Sequence, residues 1–181
     1  MKILDFSQSY FDLFEQPLRF EIDLKQMHEN QQNLQTKFHP DRFVNASAEE
    51  KRLSVQQASW VNEAYQTLVN PVKRAHYMLE VSGQDMKNES ETTSDVAFLM
   101  EQIALREQME EVRDKQEPLE ECDILVKHLK LRSKEMSDDF TSTFELGDFE
   151  TAKLVSRKMQ FVQRLSDQVM DLQFQLEDEN S

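Results

Sequence analysis

Only two glycines, Gly83 and Gly147, occur in the 181 residues of this chain. Average usage near 7% would supply roughly a dozen. Phosphate-cradling loops and the tight turns of Rossmann-like or barrel folds depend on glycine for positive φ, and no GxGxxG or GKS/T string is present. Four prolines, Pro17, Pro40, Pro71 and Pro118, are the other strong stop signals. Long segments without either residue favour helix over a turn-rich sheet, so the expectation is an all-α chain whose helices end at these six positions.

The apolar spacing supports this reading. Asp23 can cap a helix carrying Leu24, Met27, Leu34 and Phe38 on one face, and that helix has to stop ahead of Pro40. A second helix is expected from Ser47 or Ala48 to Asn70, with Ala58, Val61, Tyr65 and Leu68 on its apolar face. Asn70 then caps a third helix with Pro71 at its first position and Val72, Ala75, Met78 and Leu79 facing inward. Ahead of them stands an aromatic-rich segment, Tyr10-Phe11-Asp12-Leu13-Phe14. Two long helices joined by a loop predict an antiparallel hairpin with small helices packed on it.

Charge divides the chain. The net charge is −14, yet residues 1–83 carry 9 basic and 11 acidic side chains while residues 84–181 carry 12 and 24. This acidity argues against nucleic acid and anionic membranes as partners. No apolar run is long enough to span a bilayer, and the N-terminus lacks a charged-then-apolar leader, so a soluble, cytoplasmic protein is expected. The polar stretch 84–93 reads as a linker between a domain at 1–83 and another at 94–181. In the latter, three helices are expected near 94–116, 118–144 and 148–177. The middle one carries Leu119, Cys122, Val126, Leu129, Met136 and Phe140, and the last carries Val155, Val162, Val169, Leu172 and Leu176. Together they predict a three-helix bundle. Cys122, the only cysteine, falls in an apolar stripe and reads as a buried thiol; one cysteine cannot hold an iron–sulfur cluster. His28, His39, His76 and His128 show no metal-ligand spacing, so no metal or cofactor is expected.

Two features carry functional information. The first is His39-Pro40-Asp41, followed by Arg42-Phe43. Taken alone it could be a simple helix break, or His39 and Asp41 could form an acid–base dyad. No Ser or Cys nucleophile and no HExxH string accompanies it, which disfavours catalysis. The second is the helix expected at 94–116. On a helical wheel Phe98, Leu105, Met109 and Val112 share one side, while Val96, Leu99, Met100 and Ile103 share the opposite one, adjoined by Arg106, Glu107 and Glu111. A surface helix ordinarily has one apolar face. The outer stripe is therefore either covered by the N-terminal domain or a docking site for a partner protein.

The aromatic segment, the helix ending Lys37-Phe38, the HPD loop and the following helix with Val61-Asn62-Glu63-Ala64-Tyr65 together resemble a J-domain. That resemblance implies a loop that docks on the ATPase domain of a DnaK-type chaperone and stimulates hydrolysis, with His39, Pro40 and Asp41 in contact and Lys37 and Arg42 aiding encounter. The glycine/phenylalanine linker and cysteine-rich module of general J-proteins are absent, and the first long helix is sparsely basic, which suggests a dedicated chaperone. Over nearly the whole chain, Pro71-Val72-Lys73-Arg74-Ala75-His76-Tyr77-Met78-Leu79 and Ala97-Phe98-Leu99-Met100-Glu101-Gln102 resemble the bacterial HscB family. The resemblance implies an L-shaped, non-enzymatic co-chaperone of iron–sulfur cluster assembly that engages HscA and delivers the scaffold protein IscU. It assigns scaffold binding to Leu99, Met100, Ile103, Arg106, Glu107, Glu111 and Phe161. Ala104 stands where that family leads one to expect an acidic residue, and Arg42 replaces its usual lysine. The alternative readings are a J-protein with a different client, a helical interaction protein with an accidental HPD, and a metal carrier.

Overall fold

The computed structural model describes residues 4–85 and 95–179, in two compact units, Met1–Gly83 and Gln84–Ser181. The expected linker at 84–93 lies almost wholly outside the described residues. Every regular element among the described residues is helical.

Among the described residues the first unit holds four α-helices. α1 (Tyr10–Leu13) opens on a capping box in which Ser9 and Asp12 satisfy each other's backbone N–H groups. α2 (Leu24–Phe38) starts at Asp23, whose carboxylate accepts from the Lys25 and Gln26 N–H groups. α3 (Ala48–Val69) has a second capping box, Ser47 with Glu50. α4 (Pro71–Val81) has Asn70 accepting from the Lys73 N–H and Pro71 at its first position. Each start signal is a side chain that meets otherwise orphaned donors.

α2 and α3 form the hairpin, with a core of Phe11, Phe14, Met27, Phe38, Val61, Ala64, Leu68, Ala75, Met78 and Leu79. The apolar face expected on α2 is narrower in the structure. Leu24 is exposed and Leu34 half-buried, leaving Met27 and Phe38 as its buried residues. Leu24 falls about 60° off the direction the other three share at ~100° per residue. The remaining seam is closed by polar pairs: Gln35 donates to Asn62 at 2.5 Å and His28 meets the Tyr65 hydroxyl at 3.1 Å. On α3, Tyr65 is half-buried and the neighbouring Ala64 takes the core position.

The second unit is a three-helix bundle. α5 (Val96–Glu111) runs into a tight 3-10 turn at Val112–Asp114, so it ends sooner than the expected residue 116. Pro118 keeps the residue before it out of the α region, and Glu117 accordingly sits at φ −125° and ψ 75°. α6 (Pro118–Glu145) and α7 (Phe149–Glu179) form the long seam. Cys122, Leu125, Leu129, Met136 and Phe140 face Ala152, Val155, Met159, Val162, Leu165, Val169 and Leu176 across it. Leu125 takes a core place, whereas Leu119 and Val126 are half-buried, as are Met109 and Leu172. Cys122 is fully buried, and burial pushes its thiol pKa up. α5 contributes Phe98, Leu105 and Val112. At 1.5 Å per residue it spans about 24 Å against about 42 Å for α6, so it covers little more than half the seam.

Both glycines end helices at positive φ: +78° for Gly83 after α4 and +72° for Gly147 after α6. At the second stop the Gly147 and Asp148 N–H groups return to the Phe144 and Thr143 carbonyls at 3.0 Å, the bonding of a left-handed helix terminator. No helix among the described residues is long and apolar enough to cross a membrane.

Candidate functional site

Two sites emerge, one in each unit. In the first, α2 ends at Phe38, and His39 turns the chain into a one-turn 3-10 helix, Pro40–Phe43. Proline fixes φ at the first position of that turn. The His39 Nδ1 accepts from the Asp41 N–H at 3.3 Å and lies 3.6 Å from the Asp41 carboxylate, with both side chains open to solvent. Nδ1 is thus engaged by the backbone, and the loop presents the remaining imidazole edge and the Asp41 carboxylate outward. Among the described residues, the hydrogen bond and the ion contact of the His39 ring are both to Asp41. The two basic neighbours diverge. Lys37 lies over the Phe38 ring, 5.7 Å from its centroid. Arg42 folds back and donates to the Thr36 carbonyl at 3.2 Å, satisfying an acceptor at the α2 C-terminus.

The second site is the outer face of α5. Val96, Met100 and Ile103 are 69%, 62% and 52% exposed, while Phe98 and Leu105 on the opposite face are buried. Leu99 is half-buried, less open than its wheel position suggests. It lies one heptad before Arg106, hence on nearly the same side of the helix, and that side faces α7. There the Arg106 guanidinium stands 5.5 Å from the Phe161 ring centroid. Phe161 is half-buried, with its ring edge-on to Phe98 at 5.7 Å. A residue from α7 thereby joins the α5 face. Farther along, Glu107 and Glu111 are exposed, and Glu111 holds the Lys115 ammonium at 3.0 Å. Ala104 is also exposed.

Two ion pairs that the sequence did not single out fix the roll of α5. Asp95 caps the helix by accepting from the Phe98 N–H at 3.0 Å and also takes the Lys158 ammonium of α7 at 2.5 Å. Those contacts hold its carboxyl below the usual carboxylate range, the Lys158 hydrogen bond most of all. Lys158 lies over the Phe98 ring as well. Glu101 takes Arg132 of α6 at 2.6 and 3.0 Å, which raises the Arg132 pKa. An aspartate at the mouth of the helix expected from 94 is a local capping signal that went unused, whereas the cross-helix partners carry no local signal. Among the described residues, no group of three or more His, Cys, Asp or Glu side chains is arranged to hold a metal ion.

A helical hairpin that displays His39-Pro40-Asp41 at its turn, joined in one chain to a three-helix bundle, defines a J-domain-type co-chaperone. Residues 94–178 match the family model described as the HSCB C-terminal oligomerisation domain, and the chain is 37% identical over 173 residues to the co-chaperone protein HscB of Proteus mirabilis (strain HI4320), covering 93% of this chain and 98% of that one. The chain belongs to the HscB family of co-chaperones. Its structure is similar to chaperone HscB from Vibrio cholerae (TM-score 0.84, 32% identity, 93% of this chain and 99% of that chain). It is also similar to human co-chaperone HscB (TM-score 0.84, 29% identity, 94% and 84%). The fold alone is shared with the Jac1 co-chaperone of Saccharomyces cerevisiae (TM-score 0.70, 21% identity, 93% and 95%).

Proposed function

We propose that this chain is a cytoplasmic, non-enzymatic co-chaperone that stimulates the ATPase of a dedicated DnaK-type chaperone, HscA, and delivers the iron–sulfur scaffold protein IscU to it. In this reading residues 1–83 act as the J-domain, 84–93 as a linker and 94–181 as the client-binding bundle. His39, Pro40 and Asp41 dock on the chaperone's ATPase domain, and Lys37 and Arg42 add positive charge that speeds encounter with an acidic surface. Leu99, Met100 and Ile103 form an apolar centre for the scaffold, with Arg106, Glu107, Glu111 and Phe161 as its rim. Holding both sites in one chain raises the client's effective concentration at the chaperone.

The observation that carries this reading is the exposure of Met100 and Ile103 on a helix whose other face already supplies the bundle core. A contiguous exposed apolar stripe, unlike scattered apolar side chains, marks an interaction surface. The test is steady-state ATP turnover by HscA with the full chain, with and without IscU. Stimulation by the wild type, enhancement by IscU, and loss of both in a folded His39→Gln variant are expected. Retained stimulation in His39→Gln would sink the role of the loop. Stimulation that IscU never enhances, with no IscU binding in a titration, would point to a J-protein serving a different client.

A further inference from the structure

Beyond Glu111, the outer face of α5 does not close off. A groove of about 500 Å³ opens between the end of α5 and the start of α6, lined by Gln108, Glu111, Val112, Ile124, Leu125 and His128 together with Lys115 and Glu121. Its floor is apolar: Val112 and Leu125 belong to the core, and Ile124 is 53% exposed. Its rim is acidic in effect. Lys115 is already engaged by Glu111 at 3.0 Å, and its pKa is raised by Glu111 first and then by Glu121 and Asp114, so its charge is more than matched locally. Glu111 belongs both to this groove and to the α5 face, so the two surfaces are continuous.

We propose that the groove is a second subsite for the same client: an extended client segment runs off the α5 face past Glu111, seats an aliphatic or aromatic side chain on Val112, Ile124 and Leu125, and places a flanking lysine or arginine against Glu121 and Glu111. This rests on the client-binding reading above. A second copy of this chain is the poorer occupant of this groove, because residues 84–181 carry twice as many acidic as basic side chains and would set acid against the acidic rim. A basic, partly apolar segment meets both the floor and the rim.

The test is calorimetric titration of purified IscU into the full chain and four variants, with far-UV circular dichroism on each. Ile124→Ser is expected to weaken binding about 5- to 10-fold, the value of covering the exposed half of one isoleucine side chain. Glu121→Gln is expected to weaken it roughly 2- to 3-fold at low salt and negligibly at 0.5 M, where surface charge is screened. Leu146→Ser, exposed at the far end of α6, is the control and leaves affinity unchanged. Met100→Ala reports on the α5 face itself. If Met100→Ala weakens binding while Ile124→Ser and Glu121→Gln do not, the subsite is refuted and the α5 reading stands. If Met100→Ala has no effect or IscU does not bind, both fall together.

Discussion

Replacing Met100 and Ile103 together by alanine tests the proposed client surface most directly. Complete burial of a methionine or isoleucine side chain is worth about 1.5–3 kcal/mol relative to full exposure. With 62% and 52% of these residues still open to solvent, a client that covers them gains only the unused part. That part is about 1–2 kcal/mol for Met100 and somewhat less for Ile103, roughly 2–3 kcal/mol together. At 1.4 kcal/mol per decade, the double variant should bind IscU about 30- to 150-fold more weakly. The fold should not notice. Both side chains are exposed, and alanine is the best helix former, so far-UV circular dichroism and the urea midpoint should match the wild type. Titration calorimetry on the full chain reads the affinity. An affinity within twofold of wild type at intact helicity would refute the argument. So would a large fall in the urea midpoint, since it would mean the stripe is core.

Three further outcomes follow from the frame that holds the sites. Leu129→Ala, at a fully buried position on the α6–α7 seam, should cost about 2–5 kcal/mol in a urea melt of the full chain. Asn70→Ala removes the acceptor for the Lys73 N–H at the mouth of α4 and should cost about 1 kcal/mol, whereas Asn70→Asp, which retains an acceptor, should lose little. Asp95 has a lowered carboxyl pKa owing first to Lys158 and then to the Phe98 N–H. Its stabilising contribution is therefore complete above the ordinary carboxylate pKa near 4 and lost as pH falls through the lowered value. Wild type should lose more urea resistance than Asp95→Asn between pH 5 and pH 3; parallel acid limbs would dissociate this pair from the stability of the bundle.

The helix punctuation was the most legible part of this chain, because it is local chemistry. Asp23, Ser47, Asn70 and Pro71 act within one turn of where they stand, and Gly83 and Gly147 sit at the left-handed positions that glycine alone adopts without strain. The two-faced character of α5 was legible for the same reason, since a helix turns by a fixed angle per residue. The choices among neighbouring apolar side chains were not legible. Leu125 is buried where Leu119 and Val126 are only half so, and Leu24 is exposed, because the partner helix decides which part of a broad stripe is covered. The end of α5 at Glu111 depends on a turn that forms from Val112, Arg113 and Asp114, none of them a helix breaker. The α5–α6 groove and the ring contact of Phe161 with Phe98 join residues far apart in sequence and appear only once the helices are packed.

A helix apolar on two opposite sides poses a problem of specificity, since rolling it by half a turn would bury the other stripe. Three features oppose the roll. The inner stripe extends from Phe98 to Val112, four turns of contact, whereas the outer one stops at Ile103 and is followed by Glu107, Glu110 and Glu111. Turning those carboxylates inward would cost several kcal/mol for each unpaired ion. Asp95 and Glu101 add direction, because they meet Lys158 on α7 and Arg132 on α6 only in the observed orientation. Exposed ion pairs add little stability on average, but their geometry differs between the two orientations, and that difference is what selects one of them. The acidic tail of the outer stripe thus has two consequences. It keeps the outer stripe facing solvent, and on the proposed reading it gives that face the charge that a basic partner segment would recognise.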